Sequence, residues 1–518
     1  MNNFMSAVKN TMNNEFNYSV TENGALGYRT TGKELMDLNF AVASLRKADE
    51  REIAEQFTKA FFEDKVTAMK WLFFARDVRG GLGERRMFRT AIKHMAATNP
   101  DYVLPLITLI PEYGRFDDLW CLLDVKSSAP IVLEIVTKQL TEDIENLKKG
   151  KNISLLAKWL PSVNASSATS RRYAKLICNR MGVSERDYRK SLSKLRSKLD
   201  VVEKKMSKKQ WGDIVYEAVP SRANLIYNSA FLRNDENRRR EFLSKLERGE
   251  TKINASTLFP HDIVSRYSAG NWTYRVKPLD QTLESLWKAL PDTVNSCGNT
   301  IVVADGSGSM TTGVSGNVTA LDVANALAIY FAERSSGQFK DNYITFSHRP
   351  QLVDLSKGKN LREKIQIALS HNEVANTNIE AVFDLILATA KNNNMEQSEL
   401  PQNILIISDM EFDMCATCGC NDYGWGGNNR PNARLFDEIS RRYAAAGYKM
   451  PRIVFWNVNS RTKTIPVIEN ELGVALVSGF SPNIAKMVMS GKTDPYECLL
   501  ETLNSERYQL IADALKDI

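Results

Sequence analysis

The 518 residues predict a multidomain protein, α-helical over residues 1–295 and α/β over residues 296–518. Two observations carry this reading. Apolar residues recur at helical spacing through the first part. From Ser296 onward short apolar runs alternate with helical stretches. Such a length suits about two to four domains, and 43% hydrophobic residues are enough for a substantial core.

In the first part, Ile53 to Phe74 places Phe57, Ala60, Phe61, Val66 and Leu72 on helical spacing. Tyr102 to Leu123 and Ile131 to Leu147 read the same way. Between Tyr188 and Val202 the apolar positions are Tyr188, Leu192, Leu195, Leu199 and Val202, one face of a helix whose other face carries Arg189, Lys190, Lys194, Arg196 and Lys198. Gly80-Gly81, Gly114 and Pro161 punctuate these helices. Successive helix pairs allow a divergent α-solenoid.

In the second part the predicted strands are Ile301–Ala304, Tyr343–Phe346, Ile404–Ile407, Ile453–Trp456 and Val474–Val477. The predicted helices are Leu321–Arg334, Ile379–Ala390 and Leu435–Ala446. Strands alternating with helices imply a mostly parallel sheet covered on both faces. Ligands of such sheets bind at the carboxyl ends of the strands, near the topological switch point.

No apolar run approaches the roughly 20 residues of a membrane span, and Met1 to Phe16 lacks the apolar region of a secretory signal. A soluble, cytoplasmic protein without a membrane partner is expected. Seven scattered cysteines do not form a disulfide framework and fit a reducing compartment. Cys415, Cys418 and Cys420 form one cluster just before a Gly-rich stretch, Asn421 to Asn432. They begin a thiolate zinc site or remain free thiols, and either is open.

Charge is unevenly distributed. Residues 296–518 hold 20 Lys/Arg against 25 Asp/Glu, whereas residues 148–209 hold 18 against four. That segment alone is more positive than the whole chain, at +7. It points to a polyanion, usually nucleic acid, or is simply a solvated basic face. Arg171, Arg172, Lys175, Arg189, Lys190, Lys194, Arg196 and Lys198 are the candidate RNA contacts, with Trp159, Tyr173 and Tyr188 available to stack on bases or to fill the core. Arg76, Arg79 and Arg85, beside Arg86 and Arg89, flank the turn Gly80-Gly81-Leu82-Gly83. They line a phosphate surface, or Asp77 and Glu84 pair with them to fix the turn. The turn lacks the Gly-Lys-Ser/Thr ending of a nucleotide-binding loop.

Asp305-Gly306-Ser307-Gly308-Ser309 follows the first predicted strand of the sheet and fits the Asp-x-Ser-x-Ser core of a metal-ion-dependent adhesion site (MIDAS). A hard cation such as Mg²⁺ or Mn²⁺ takes about six oxygen ligands. A carboxylate and two hydroxyls on one tight turn supply part of that set. Thr377, just before a predicted helix, and Asp409, at the end of the strand Ile404–Ile407, sit where the A-domain family that this turn resembles places its Thr and second Asp, and that resemblance implies them as the further candidate ligands. The position this set leaves open suits water or an acidic group from a partner. Four histidines, in no catalytic order, offer little acid–base chemistry.

Several stretches resemble those of a known family: Thr21–Ala25 (TENGA), Ala75–Arg85 (ARDVRGGLGER), Ala157–Ser162 (AKWLPS), Val219–Ser221 (VPS), Phe259–His261 (FPH) and Pro451–Asn457 (PRIVFWN). With the basic helical part and the Asp-x-Ser-x-Ser turn, the chain resembles the TROVE plus von Willebrand factor A architecture of the Ro autoantigen. Its stretches are most similar to a TROVE/A-domain group of microbes, viruses and plants. The resemblance implies a HEAT-like helical module that binds structured or single-stranded RNA as a ribonucleoprotein, joined to an A-type domain. The expected function is a non-catalytic RNA-binding protein with a divalent metal. A metal-dependent protein–protein adaptor is the alternative, and a metal-dependent nuclease the lesser one.

Overall fold

Short stretches at the start of the chain already belong to the sheet-containing part. In the computed structural model, which describes residues 17–268, 276–294, 299–346, 349–372, 378–413, 435–467, 473–484 and 493–518, strands β1 (Tyr18–Val20) and β2 (Leu26–Tyr28) pair as an antiparallel hairpin. Helix α1 (Glu34–Leu45) follows, and nine of its 12 residues are buried. The chain forms two compact units, one of residues 1–49 and 258–502, the other of residues 50–257 and 503–518. The single cut expected at 295/296 is therefore corrected at three places: the N-terminal 49 residues and residues 258–295 belong with the sheet, and the last 16 belong with the helices. The reason is tertiary. The α1 carbonyl of Phe40 accepts from Asn457 Nδ2 (2.8 Å), and the Ala43 N–H donates to Ser478 Oγ (3.0 Å). Both partners lie on strands more than 400 residues later.

The helical unit begins with α2 (Glu50–Glu63) and α3 (Lys65–Arg76). The single helix expected over residues 53–74 breaks at Asp64, whose carboxylate accepts the Thr67 N–H (2.9 Å) and caps α3. Helix α4 (Arg85–Thr98) follows the Gly-rich turn. A Cβ at Gly81 would meet the Phe74 carbonyl oxygen at 1.9 Å, so the turn admits only glycine there. The helix expected over residues 102–123 is instead a series of short 3₁₀ and α turns, because Pro105, Pro111 and Gly114 interrupt it. Then come α5 (Ala129–Lys148), α6 (Ala168–Met181), α7 (Glu185–Lys198), α8 (Ser221–Asn234) and α9 (Glu236–Glu247). Ser184 caps α7 by accepting the Asp187 N–H. The helix ends at Leu199, where the backbone turns extended. Among the described residues no helix is long and apolar enough to cross a membrane.

The sheet unit continues with α10 (Pro260–Tyr267) and α11 (Gln281–Lys288). Its sheet has the order β10–β9–β8–β3–β6–β7, built from β3 (Thr300–Asp305), β6 (Asn342–Phe346), β7 (Gln351–Asp354), β8 (Asn403–Ser408), β9 (Arg452–Asn457) and β10 (Val474–Ser478). A small hairpin, β4 (Gly313–Ser315) and β5 (Val318–Thr319), follows the Asp305 turn. All neighbours in the large sheet are parallel except the edge strand β7, which runs antiparallel to β6. Every residue of β3, β9 and β10 is buried, the physical reason these strands read as unbroken apolar runs. Helix α12 (Ala320–Arg334) is apolar nearly all round and buries 11 of its 15 residues. Thr319 and Asp322 exchange hydrogen bonds across its first turn. Further helices of the unit include α13 (Leu361–Ser370), α14 (Ile379–Asn392) and α15 (Leu435–Ala445). After β3 the chain reaches β6 on one side, and β8 later pairs on the other. The carboxyl ends of β3 and β8 therefore flank the switch point.

Candidate metal centre and candidate nucleic-acid interface

The switch point brings Asp305, Ser307, Ser309 and Asp409 together. Asp305 is the last residue of β3 and is buried. Its Oδ1 accepts the Ser307 N–H (2.9 Å), which folds the Asp-Gly-Ser turn back on the carboxylate. Its Oδ2 accepts the hydroxyl of Ser408, the last residue of β8 (2.6 Å). Ser307 Oγ and Ser309 Oγ lie 3.0 Å apart. Asp409 follows Ser408 and is fully buried. Its Oδ1 accepts the Glu411 N–H (3.3 Å), while its Oδ2 is shielded from solvent and accepts no hydrogen bond. Met410, next in the chain, adopts φ +64°, a strained value for a side chain of that size.

Electrostatics mark the same place. Burial, opposed by the hydroxyls of Ser307 and Ser408 and reinforced by the charge of Asp413, pushes the Asp305 carboxyl well above the ordinary carboxylate range. Burial and the charge of Asp305 push Asp409 up as well. Two buried carboxylates that repel each other, with one oxygen lacking any donor, are chemically suited to a hard cation. The donor set of two carboxylates and two serine hydroxyls fits Mg²⁺ or Mn²⁺. Thr377 and the cysteines Cys415, Cys418 and Cys420 lie outside the described residues.

Sequence reasoning missed four neighbours. Ser408 orients Asp305. Asp413 adds negative charge. Arg461 Nη2 sits 3.6 Å from Asp409 Oδ2 and 2.6 Å from Glu22 Oε2. Glu411, fully buried, accepts the N–H groups of Glu22 (2.8 Å), Arg461 (2.8 Å) and Thr462 (2.9 Å). The Thr21 hydroxyl and Asn23 Nδ2 donate to the carbonyls of Phe412 and Glu411 (2.6 and 2.7 Å). The signal for this cluster was the TENGA stretch, which sequence alone could not connect to residues near 411 and 461.

The cationic candidates of the helical unit divide into two groups. Arg76 is corrected from the surface to the interior: it is 5% exposed and paired with Asp118, itself fully buried (2.7 Å). Arg89 Nε (2.6 Å) and the Arg115 N–H (2.9 Å) converge on the same carboxylate. The buried Asp77 holds the Gly-rich turn through the Arg79 N–H, Arg507 and the Tyr508 hydroxyl. The turn is thus fixed by Asp77. Arg79 is exposed, and Arg85 lies 3.7 Å from Asp117. Arg171 donates to the carbonyls of Ala165 and Ser166. Arg196 likewise serves those of Ala157 and Leu160 and the hydroxyl of Ser162. Arg172 pairs with Asp124 and Lys175 with Glu185. Tyr173 and Tyr188 are core residues whose hydroxyls donate to Asp124 and to the Pro161 carbonyl. Trp159 is half-buried under the Arg115 guanidinium (4.2 Å).

The second group lies on α7. Tyr188, Leu192 and Leu195 face inward. Arg186, Arg189, Lys190, Lys194 and Lys198 are exposed, and no carboxylate among the described residues pairs with any of them. A separate open cleft of about 1270 Å³ is lined by Lys59, Lys93, Lys126 and Arg89, among others.

Residues 21–111 and 131–300 match the domain of unknown function DUF2828, and residues 299–509 match the domain of unknown function DUF7788. A protein of Acanthamoeba polyphaga mimivirus, described as uncharacterized, is 31% identical over 94% of this chain and 87% of its own length. Among solved structures, the Ro (RSR) protein of Deinococcus radiodurans aligns at 13% identity with a TM-score of 0.44. That alignment covers 94% of this chain and all of the other.

Proposed function

We propose that this chain, which belongs to the DUF2828 family, is a non-catalytic RNA-binding protein of Ro type. In this reading the helical unit holds RNA by its phosphates, and the sheet unit is a von Willebrand A-type domain with a divalent-cation site. One observation carries the RNA assignment: the five unpaired cations along α7. Elsewhere in the unit Arg76, Arg89, Arg115, Arg172 and Arg507 are spent on Asp77, Asp117, Asp118 or Asp124, and Arg171 and Arg196 on backbone carbonyls. On α7 they face solvent at successive turns, each of about 5.4 Å. Side chains three and four residues apart share one helix face, so the charges form a stripe. Such a stripe follows a phosphodiester backbone and positions it without reading bases. Tyr173 and Tyr188 are buried, so base stacking does not come from them.

The test is crosslinking and sequencing of bound RNA, compared with R189E/K190E/K194E. RNA recovered with the wild type and lost with the variant supports the reading. Equal recovery removes α7 from the interface.

The cation site would be held by Asp305, Ser307, Ser309 and Asp409. When bound, the ion supplies a Lewis-acidic position for an acidic group of a partner. The protein's residues orient the carboxylates through Ser408, the Ser307 N–H and the Glu411 N–H, and keep water from Asp409. A second reading, a metal-dependent adaptor without RNA, is favoured by the donor-free Asp409 Oδ2. Metal-dependent capture of a defined partner by a protein free of nucleic acid, abolished by D305A, would select it.

A further inference from the structure

Beside the candidate cation site lies a charge arrangement that the RNA and metal readings leave unused. The Arg461 guanidinium stands between two carboxylates. Its Nη2 is 2.6 Å from Glu22 Oε2 and 3.6 Å from Asp409 Oδ2. The first distance is a close ion pair. The second is within ion-pair reach but beyond a hydrogen bond. Arg461 is the cation within that reach of Asp409 among the described residues. Asp409 is fully buried, whereas the Arg461 and Glu22 side chains are 40% and 51% exposed. One partner of Arg461 is thus inside the site and the other at its rim.

Both partners hang from one anchor. Oε1 of the buried Glu411 accepts the N–H groups of Arg461 and Thr462, and its Oε2 accepts the N–H of Glu22. Glu411 is two residues from Asp409, and its own N–H donates to Asp409 Oδ1. The segment that carries the candidate ligand therefore also fixes the backbone origins of the guanidinium and of its rim carboxylate. What remains free to move is the end of the Arg461 side chain, between Asp409 and Glu22.

We propose that Arg461 is a built-in competitor of the metal: its guanidinium and a divalent cation contest Asp409 Oδ2, and Glu22 is the carboxylate to which the displaced guanidinium retires. The proposal rests on the cation site put forward above. Its physical basis is charge. An Mg²⁺-sized ion sits about 2.1 Å from a carboxylate oxygen. A guanidinium nitrogen at its present distance from that oxygen would share the same lone-pair region and repel the ion strongly in a buried setting. The ion enters when Arg461 swings fully to Glu22. Arg461 thereby neutralises a buried carboxylate and sets a threshold for ion binding. The strength of the Glu22 pair tunes that threshold.

The sign pattern makes the proposal testable on the full-length protein with Mn²⁺ as probe, by titration calorimetry and thermal unfolding. R461Q removes the competitor, so Mn²⁺ affinity rises about tenfold, while the ion-free protein unfolds at lower temperature. E22Q removes the retreat, so affinity falls several-fold. R461K keeps a cation and stays near wild type. In E22Q/R461Q the Glu22 effect disappears, because nothing remains to be held. A merely structural pair would instead weaken binding in both single variants. Equal or weaker Mn²⁺ binding by R461Q overturns the proposal. Uptake that D305N abolishes but that is indifferent to Arg461 and Glu22 overturns it and leaves the metal site standing. No uptake by wild type, R461Q or E22Q overturns both.

Discussion

Neutralising the α7 stripe gives the most quantitative test of the RNA reading. The perturbation is R189Q/K190Q/K194Q, three exposed positions whose side chains pair with no carboxylate among the described residues. Each phosphate neutralised by a cation contributes about −0.7 to the slope of log affinity against log salt for single strands, and about −0.9 for duplex. If all five unpaired cations of α7 engage, the wild-type slope is about −3.5 to −4.5. Raising salt from about 50 to about 200 mM then weakens binding about 100- to 500-fold. With three cations removed the slope shrinks to about −1.4 to −1.8, and the same change costs only about tenfold. The assay is fluorescence anisotropy with a labelled RNA at several salt concentrations, with thermal unfolding as the folding control. Exposed substitutions of this kind should move stability by no more than about 0.5 kcal/mol each. A folded variant with the wild-type slope would refute the assignment, since phosphates would then be meeting other residues.

Three further outcomes are expected. D305N should lose Mn²⁺ binding by calorimetry yet unfold at a higher temperature than ion-free wild type, because it relieves the repulsion between two buried carboxylates; a lower unfolding temperature would contradict that repulsion. Asp305 and Asp409 are held above their ordinary range, so folding favours their protonated forms. Their contribution to stability is therefore intact at low pH and lost as pH rises from the ordinary carboxylate range toward neutrality. The advantage of D305N over wild type should grow over that window in denaturant titrations without metal, and an advantage flat with pH would refute the linkage. D118A would strand the buried guanidinium of Arg76 and cost about 3–5 kcal/mol in urea unfolding; a loss under about 1 kcal/mol would show that the pair is dispensable.

Much of the architecture was legible because local pattern and burial coincide. The runs Ile301–Ala304, Ile404–Ile407, Ile453–Trp456 and Val474–Val477 all lie within strands covered on both faces. The inward face of α7 is the one its spacing implies. Strands β1 and β2 were not legible, since three residues are too few to establish a period. The expected helix over residues 102–123 failed because its apolar spacing was weighed above Pro105 and Pro111. Asp77 and Glu84 were weighed as possible partners for the arginine-rich turn, but the acid that buries Arg76, Asp118, was not seen.

By itself the chain determined which segments become strands and helices, where positive charge accumulates, and that oxygen donors cluster after β3 and β8. These follow from the composition of neighbouring residues, which short-range sterics and hydrophobic periodicity translate directly into structure. Only the tertiary structure decided that residues 17–45 pack in the sheet unit, that Arg76 is interior while Lys190 is not, and that Glu22, Glu411 and Arg461 surround Asp409. Those outcomes depend on which groups meet across hundreds of residues. A buried charge or hydrogen-bonding group takes whatever partner the completed packing presents, and no local pattern records that partner.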